Sequence, residues 1–208
     1  MSRLFVVGAG GHGAVVAEAA IESGGWEKIV FLDDDESIKT VLDFPVSGRV
    51  EQLFTLADQQ SDVVVAIGSN RRRLELCEEI ARNGLRLVAV IHPAACVSKS
   101  ASISPGTVVC AGVIVNARAR VGRACILNTG STIDHDCVLD DGVHVSPGAN
   151  LGGMVRVGER VWIGIGSSVR EGVAIGRDSI VGAGAAVISD IGDAFTVGGV
   201  PAKVLTTR

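Results

Sequence analysis

The chain has 208 residues and a formal charge of −4, and its Lys and Arg are scattered rather than gathered into a stripe, which argues against a nucleic-acid footprint. No apolar run approaches the about 18 to 20 uncharged residues that span a bilayer, and the N-terminus runs from Arg3 into a glycine-rich turn, so the sequence reads as cytoplasmic, unexported and without membrane insertion. With 27 Gly, no Tyr and 3% aromatic residues, the core must be built from small branched aliphatics and tight turns. Cys77, Cys96, Cys110, Cys125 and Cys137 form an odd set without a CxxC pair and read as buried free thiols; the scattered histidines lack the spacing of a metal site.

In chain order, residues 4–7 predict a strand entering the turn Gly8-Ala9-Gly10-Gly11-His12-Gly13, and 14–23 predict a helix. A strand at 29–32, a hairpin near 41–46 and a short helix over 50–57 follow. Residues 62–67 predict a strand ending at Gly68, after which Asn70 could cap a helix over 71–82. A last strand over 85–91 closes this half. Strands and helices alternating in this way predict a small parallel α/β sheet.

Gly8, Gly10 and Gly13 satisfy GxGxxG between a strand and a helix, with Asp33 and Asp34 about 20 residues on. Taken literally this is an NAD fingerprint. About 90 residues, however, hold one mononucleotide-binding half and not two, so a UDP group fits the turn better. Arg71, Arg72 and Arg73 could approach phosphate or form a solvated helix face.

After His92-Pro93 the period changes. Val, Ile or Leu opens sixteen consecutive hexads from Val97 to Val187, many followed by Gly, Ser, Asp or Asn. Six is not a multiple of the helical 3.6, and the Gly and β-branched content opposes a helix. The step predicts a solenoid in which each hexad gives a short strand and a turn, and three hexads make a triangular coil. This hexapeptide pattern resembles the acyltransferases of the left-handed parallel β-helix family, and the left hand is what that resemblance implies. Residues 195–204 break the period as a C-terminal cap would.

Only two histidines lie on the coil, His135 in Asp134-His135-Asp136 and His144 nine residues later. In an acyl transfer, an amine loses a proton as it attacks a thioester carbonyl, and an imidazole suits that task at neutral pH. His135 would be the base, Asp136 or Asp134 would hold its tautomer, and His144 or a backbone N–H would polarise the thioester oxygen. Nine residues is half of an 18-residue coil, so on one chain the two imidazoles need not meet.

Ile126-Leu127-Asn128-Thr129, then Asp134-His135-Asp136-Cys137, then His144-Val145-Ser146-Pro147-Gly148-Ala149 closely resembles the sugar N- and O-acetyltransferases of the bacillosamine and sialic-acid pathways, the PglD and NeuD type. The resemblance covers essentially the whole chain. It implies a Rossmann-like nucleotide-sugar-binding domain over 1–92 and an acetyltransferase β-helix over 93–208, assembled as a homotrimer with active sites between protomers. It further implies His135 as base, assisted by Asp136 where relatives often carry Glu, and acetyl-CoA along His144, Gly153, Ile165, Ala183 and Lys203. A UDP-amino sugar would lie on Gly10, Gly11, His12, Asp33, Asp34 and Gly68. The expected reaction is N-acetylation of a UDP-4-amino-4,6-dideoxy sugar. Two readings stand beside it: O-acetylation of a sialic-acid or polysaccharide precursor, and a nucleotide-binding structural trimer without catalysis.

Overall fold

The computed structural model describes residues 3–207. β1 (Arg3–Val7) leads through the glycine turn into α1 (Gly11–Ser23) and β2 (Lys28–Leu32), followed by the hairpin β3 (Thr40–Val41) and β4 (Phe44–Pro45), a 3-10 turn (Val50–Gln52) and the one-turn helix α2 (Leu53–Leu56). β5 (Ser61–Val65), α3 (Asn70–Arg82) and β6 (Arg86–Leu87) complete a parallel sheet of order β2-β1-β5-β6. The central strands are covered on both faces, and their Phe-Val-Val and Val-Val-Val runs are correspondingly buried.

Several boundaries differ from the sequence reading. α1 starts at Gly11 because the glycine turn is itself the first helical turn, with Gly10 at the cap position. A Cβ on Gly13 would stand 2.2 Å from the Gly8 carbonyl oxygen, so only glycine lets the helix approach the strand this closely. The cap of α3 is Ser69, whose hydroxyl accepts from the Arg72 N–H at 3.4 Å, and Asn70 is released for another contact. The strand expected over 85–91 is two strands: β6 joins the sheet, while β7 (Val90–Ile91) pairs with Val108–Val109. Ile91 stands six residues before Val97, in phase with the hexads, so the repeat begins there.

From β7 onward the chain is a parallel β-helix of two-residue strands in three sheets, of eight, six and five strands. Up to the capping segment, successive strands of a sheet stand 18 residues apart, as in Val108↔Ile126, Ile126↔His144 and His144↔Trp162. The ladder residues from Val109 to Val187 are all buried, while Val97 and Ile103 at the open end are half-buried. At every sixth residue from Gly106 to Gly184 the backbone has positive φ, with Arg118, Ala124, Asp136, Met154, Arg160 and Asp178 taking positions otherwise held by glycine. An antiparallel pair, Phe195–Gly198 with Lys203–Thr207, closes the end of the eight-stranded sheet. Four cysteines are buried, and Cys96 departs from expectation by being exposed in the first coil. Among the described residues no helix is long and apolar enough to cross a membrane.

One apolar core runs from Leu4, Val6 and Val16 through Val90 into the coil interior. A second, on the opposite side of the sheet, gathers Phe5, Val7, Leu53, Leu76 and Ile80 against Ala124 of the coil. Between the halves lies Arg73, fully buried. Its guanidinium donates to the carbonyls of Ala124 (2.7 Å) and Gly142 (2.9 Å) on the coil, to those of Ile67 (2.9 Å) and Gly68 (3.3 Å) at the end of the sheet, and to Asn70 Oδ1 (2.8 Å). Asn70 Nδ2 in turn donates to the carbonyls of Arg160 and Val161 at 3.0 and 3.1 Å. Burial lowers the Arg73 pKa to about 10, and the surrounding carbonyls replace its lost hydration. Of the three arginines read as phosphate contacts or a solvated face, Arg73 is neither.

Arg73→Met would leave these buried carbonyls without donors, at a cost of about 3 kcal/mol or more. Urea unfolding followed by Trp26 in the front half and Trp162 on the coil should show that loss; a change below about 0.5 kcal/mol would contradict the stapling role.

Candidate active site

His135 stands at the corner between the six- and five-stranded sheets, with its side chain 48% exposed. Asp134 Oδ1 accepts from the His135 backbone N–H (2.7 Å) and from Asn116 Nδ2 (2.8 Å), so this carboxylate fixes the turn rather than the ring. Asp136 Oδ2 lies 2.8 Å from His135 Nδ1. Of the two candidates, Asp136 is therefore the one in contact with the imidazole, and its shorter side chain reaches without difficulty. Its φ of 58° turns the backbone back at this corner, a conformation aspartate tolerates better than most residues.

Arg118, one coil below, clasps the same carboxylate from Nε to Oδ1 (2.7 Å) and from Nη2 to Oδ2 (2.8 Å). The hydrogen bond from Arg118 and then that from His135 hold the Asp136 carboxyl far below the usual carboxylate range. An ionised carboxylate can only accept, so Nδ1 carries the ring proton and Nε2 presents a lone pair. That nitrogen lies over Gly153, where a Cβ would stand 2.6 Å from it. Gly153 thus makes room for the ring. The sequence reading missed Arg118; its position 18 residues before Asp136 was the available signal.

The second histidine has a different environment. His144 stacks on Trp162, with ring centroids 5.5 Å apart and planes 6° from parallel, and the indole N–H donates to Ser146 Oγ at 2.8 Å. His144 Nε2 faces Asn128 Nδ2 at 3.4 Å. Burial, then the charges of Arg73 and His12, push the His144 pKa down to about 3. His12, on the glycine turn, is lowered to about 4 by burial and Arg73. The docking of the front half thus brings the glycine-turn histidine into the electrostatic field of the coil histidine, and both are neutral at pH 7. His12 Nε2 and His144 Nδ1 are buried without a hydrogen-bond partner.

The remaining expected residues fall into separate places. Open space lies where side chains would stand on Gly10, Gly11 and Gly68. Asp33 is committed to the turn, accepting from the N–H groups of Ala9 (2.6 Å) and Asp35 (2.9 Å). Asp34 is exposed and accepts from the Val50 N–H at 3.1 Å. Gly68, Arg71 and Trp162 border a cleft of about 590 Å³ between the halves. Ile165, 61% exposed, and Ala183 stack one coil apart at the corner between the eight- and six-stranded sheets, joined through the Gly184 N–H and the Ile165 carbonyl at 2.8 Å. Gly153 belongs to the His135 corner instead, and Lys203 is exposed on the capping pair. Within one protomer the His135 corner and the Ile165–Ala183 corner are thus separated by a full face of the coil.

The two depressed histidines set a pH dependence. Below pH 6.5 the unfolded chain binds protons that folded His12 and His144 refuse, so stability is complete above about 6.5 and falls as the pH drops toward about 4 and about 3. The loss approaches about 1.4 kcal/mol per pH unit for each histidine. Urea midpoints should fall between pH 6.5 and 5, and His12→Gln with His144→Gln should flatten that dependence; a flat wild-type curve would contradict it.

Two family models match the chain: the PglD N-terminal domain over residues 3–80 and the bacterial transferase hexapeptide (six repeats) over 154–189. The acetyltransferase domain of PglB from Neisseria gonorrhoeae FA1090 is 46% identical over 98% of this chain and 99% of its own, with a TM-score of 0.95. It is also known in complex with acetyl coenzyme A. A histidine-to-asparagine variant of perosamine N-acetyltransferase from Caulobacter crescentus, in complex with CoA and GDP-perosamine, is 41% identical over 98% of this chain and 96% of its own, with a TM-score of 0.93. UDP-N-acetylbacillosamine N-acetyltransferase of Bacillus subtilis (strain 168) is 39% identical over 115 residues, which span 53% of this chain and about half, 52%, of that protein. By its two family models and its end-to-end match to these enzymes, the chain belongs to the PglD-type hexapeptide-repeat acetyltransferases.

Proposed function

We propose that the protein is an acetyl-CoA-dependent N-acetyltransferase acting on the amino group of a nucleotide-activated sugar, a UDP-4-amino-4,6-dideoxy sugar, with His135 as its base. The observation that carries this reading is the His135 ring held by Asp136 with Nε2 free at an open corner. A relative that acetylates UDP-N-acetylbacillosamine by name, and others held with CoA, acetyl-CoA or GDP-perosamine, support the donor and the acceptor class.

His135 Nε2 takes the proton that the sugar amine sheds as its nitrogen bonds to the thioester carbonyl carbon. Asp136 stabilises the imidazolium so formed. When the C–S bond breaks, the imidazolium returns the proton to the departing thiolate and the base is regenerated. His144, being neutral, would polarise the carbonyl oxygen as an N–H donor and not as a cation.

His135 and Gly153 occupy one corner, whereas Ile165 and Ala183 occupy another that borders the His144 face. Neighbouring coils in a homotrimer would bring one protomer's His135 corner beside the next protomer's acetyl-CoA edge, with Lys203 toward a CoA phosphate. Gly10, Gly11 and Gly68 leave space for the diphosphate, His12 would donate to it, and Asp34, exposed and bonded through Oδ1 to the Val50 N–H, would meet the nucleoside while Asp33 holds the turn. A CoA thioester and a nucleotide sugar are cytoplasmic substrates, and the reaction belongs in that compartment.

CoA-thiol release tests the reading, with acetyl-CoA and the UDP-4-amino-4,6-dideoxy sugar run beside its 4-hydroxy analogue and free sialic acid. Release with the amine alone is expected. Release only with a hydroxyl acceptor would overturn the N-acetyl assignment in favour of O-acetylation.

A further inference from the structure

Three arginine–aspartate pairs stitch neighbouring coils together at a spacing of 18 residues: Arg118–Asp136, Arg123–Asp141 and Arg160–Asp178. All three fasten one corner turn to the turn above it. The Arg123 and Arg160 pairs lie along the corner that faces α3, and neither carboxylate touches an imidazole. Of the three, the Arg118 pair is the one whose carboxylate also meets an imidazole, Asp136 Oδ2 lying 2.8 Å from both Arg118 Nη2 and His135 Nδ1.

We propose that Arg118 is a positioning residue of the acetyl-transfer site, which fixes the plane of the Asp136 carboxylate toward His135 Nδ1 and partly neutralises its charge. The inference rests on His135 being the base. Two consequences follow from the geometry. An unclasped Asp136 can rotate about its side-chain bonds, and the imidazole, which lies against Gly153 of the coil above, loses the partner that sets its orientation and tautomer. An unclasped Asp136 also presents its full negative charge to the ring, which favours the protonated, catalytically idle imidazolium at higher pH.

The charged groups facing His135 are few. Asp134 is its chain neighbour and spends one oxygen on the His135 N–H and Asn116; Asp136 touches the ring; Arg118 reaches the ring's surroundings through Asp136; the coil above presents Gly153. Arg118 is thus the cation in direct contact with the carboxylate that holds the ring, while Arg120 and Arg156 line the neighbouring cavity that Asp136 also borders. Because the corner is open to solvent, the electrostatic part of its effect is screened and small, whereas the orienting part falls directly on turnover.

The test compares Arg118→Ala, Arg118→Lys and Arg123→Ala with the wild type in kcat, KM and the pH profile of kcat/KM, with His135→Ala alongside and thermal midpoints recorded for all. Arg118→Ala should lower kcat about tenfold with both KM values within about twofold, and should move the acidic limb of the profile up by about half a pH unit. Arg118→Lys keeps the charge but not the two-pronged clasp, so its acidic limb should stay in place while kcat falls by a smaller factor. Arg123→Ala, which removes an equivalent stitch away from the imidazole, should change neither. With His135→Ala inactive, a wild-type kcat and profile in Arg118→Ala would overturn the proposal and leave the base assignment standing. Equal kinetic losses in Arg118→Ala and Arg123→Ala, with no movement of the acidic limb, would reduce Arg118 to a structural stitch and overturn it as well. Should Arg118→Ala fail to fold, Arg118→Lys decides, since wild-type turnover in that variant contradicts the need for a two-pronged clasp.

Discussion

Closure of each coil after 18 residues is the constraint on which the rest of this molecule depends. It demands a small aliphatic side chain inside at every sixth position and a positive φ at every corner, and the backbone obeys from Gly106 to Gly184 without a break. The interior is thereby filled with groups that cannot do chemistry, and reactive side chains are confined to corners and outward-facing positions. The same closure places each residue beside those 18 before and after it. His135 therefore meets Gly153, Asp136 meets Arg118, and His144 meets Trp162, each pairing joining segments remote in sequence. A site built in this way inherits the rigidity of the ladder, which suits the proposed reaction, in which the protein orients the reactants and shuttles one proton.

A second contact governs how the front half meets the coil. Arg73 is a buried cation with no carboxylate, solvated by four main-chain carbonyls and one side-chain amide. Such a group is costly to bury and costlier still to leave half-satisfied, so it defines one docking geometry where apolar packing alone would allow several. That geometry carries His12 toward the His144 face. It also keeps both imidazoles neutral, first by burying them and then through the charge of Arg73. The sheet's last strand and the coil's first rung, Arg86–Leu87 and Val90–Ile91, stand only two residues apart, so the joint between the halves is short as well as pinned.

Much of this was legible in the sequence. The hexads announced the coil, because a period of six with aliphatic anchors has few other solutions, and GxGxxG between a strand and a helix announced the front sheet. His135 and Asp136 stood out because little else on the coil can exchange a proton. What escaped was whatever depended on a third dimension. Arg73 sat in a run of three arginines that looked solvated, and only the docking of α3 singled it out. Arg118 looked like one surface charge among many until the coil repeat set it against Asp136. The strand read over 85–91 was cut in two because its ends serve different sheets, a division that apolar character alone cannot reveal. Cys96 looked like the other thiols but takes the outward-facing position of its strand, in a column where Ile114 and Asn150 are exposed as well.

The central claim is that one imidazole at an open corner takes the proton in the acyl transfer, and steady-state kinetics of His135→Ala test it most directly. The account predicts that kcat falls by about 10² to 10⁴, with the KM for donor and acceptor within about twofold and the fold intact, because the ring is half exposed. Turnover within a few-fold of the wild type would contradict it, and the base would then have to be sought elsewhere on the coil.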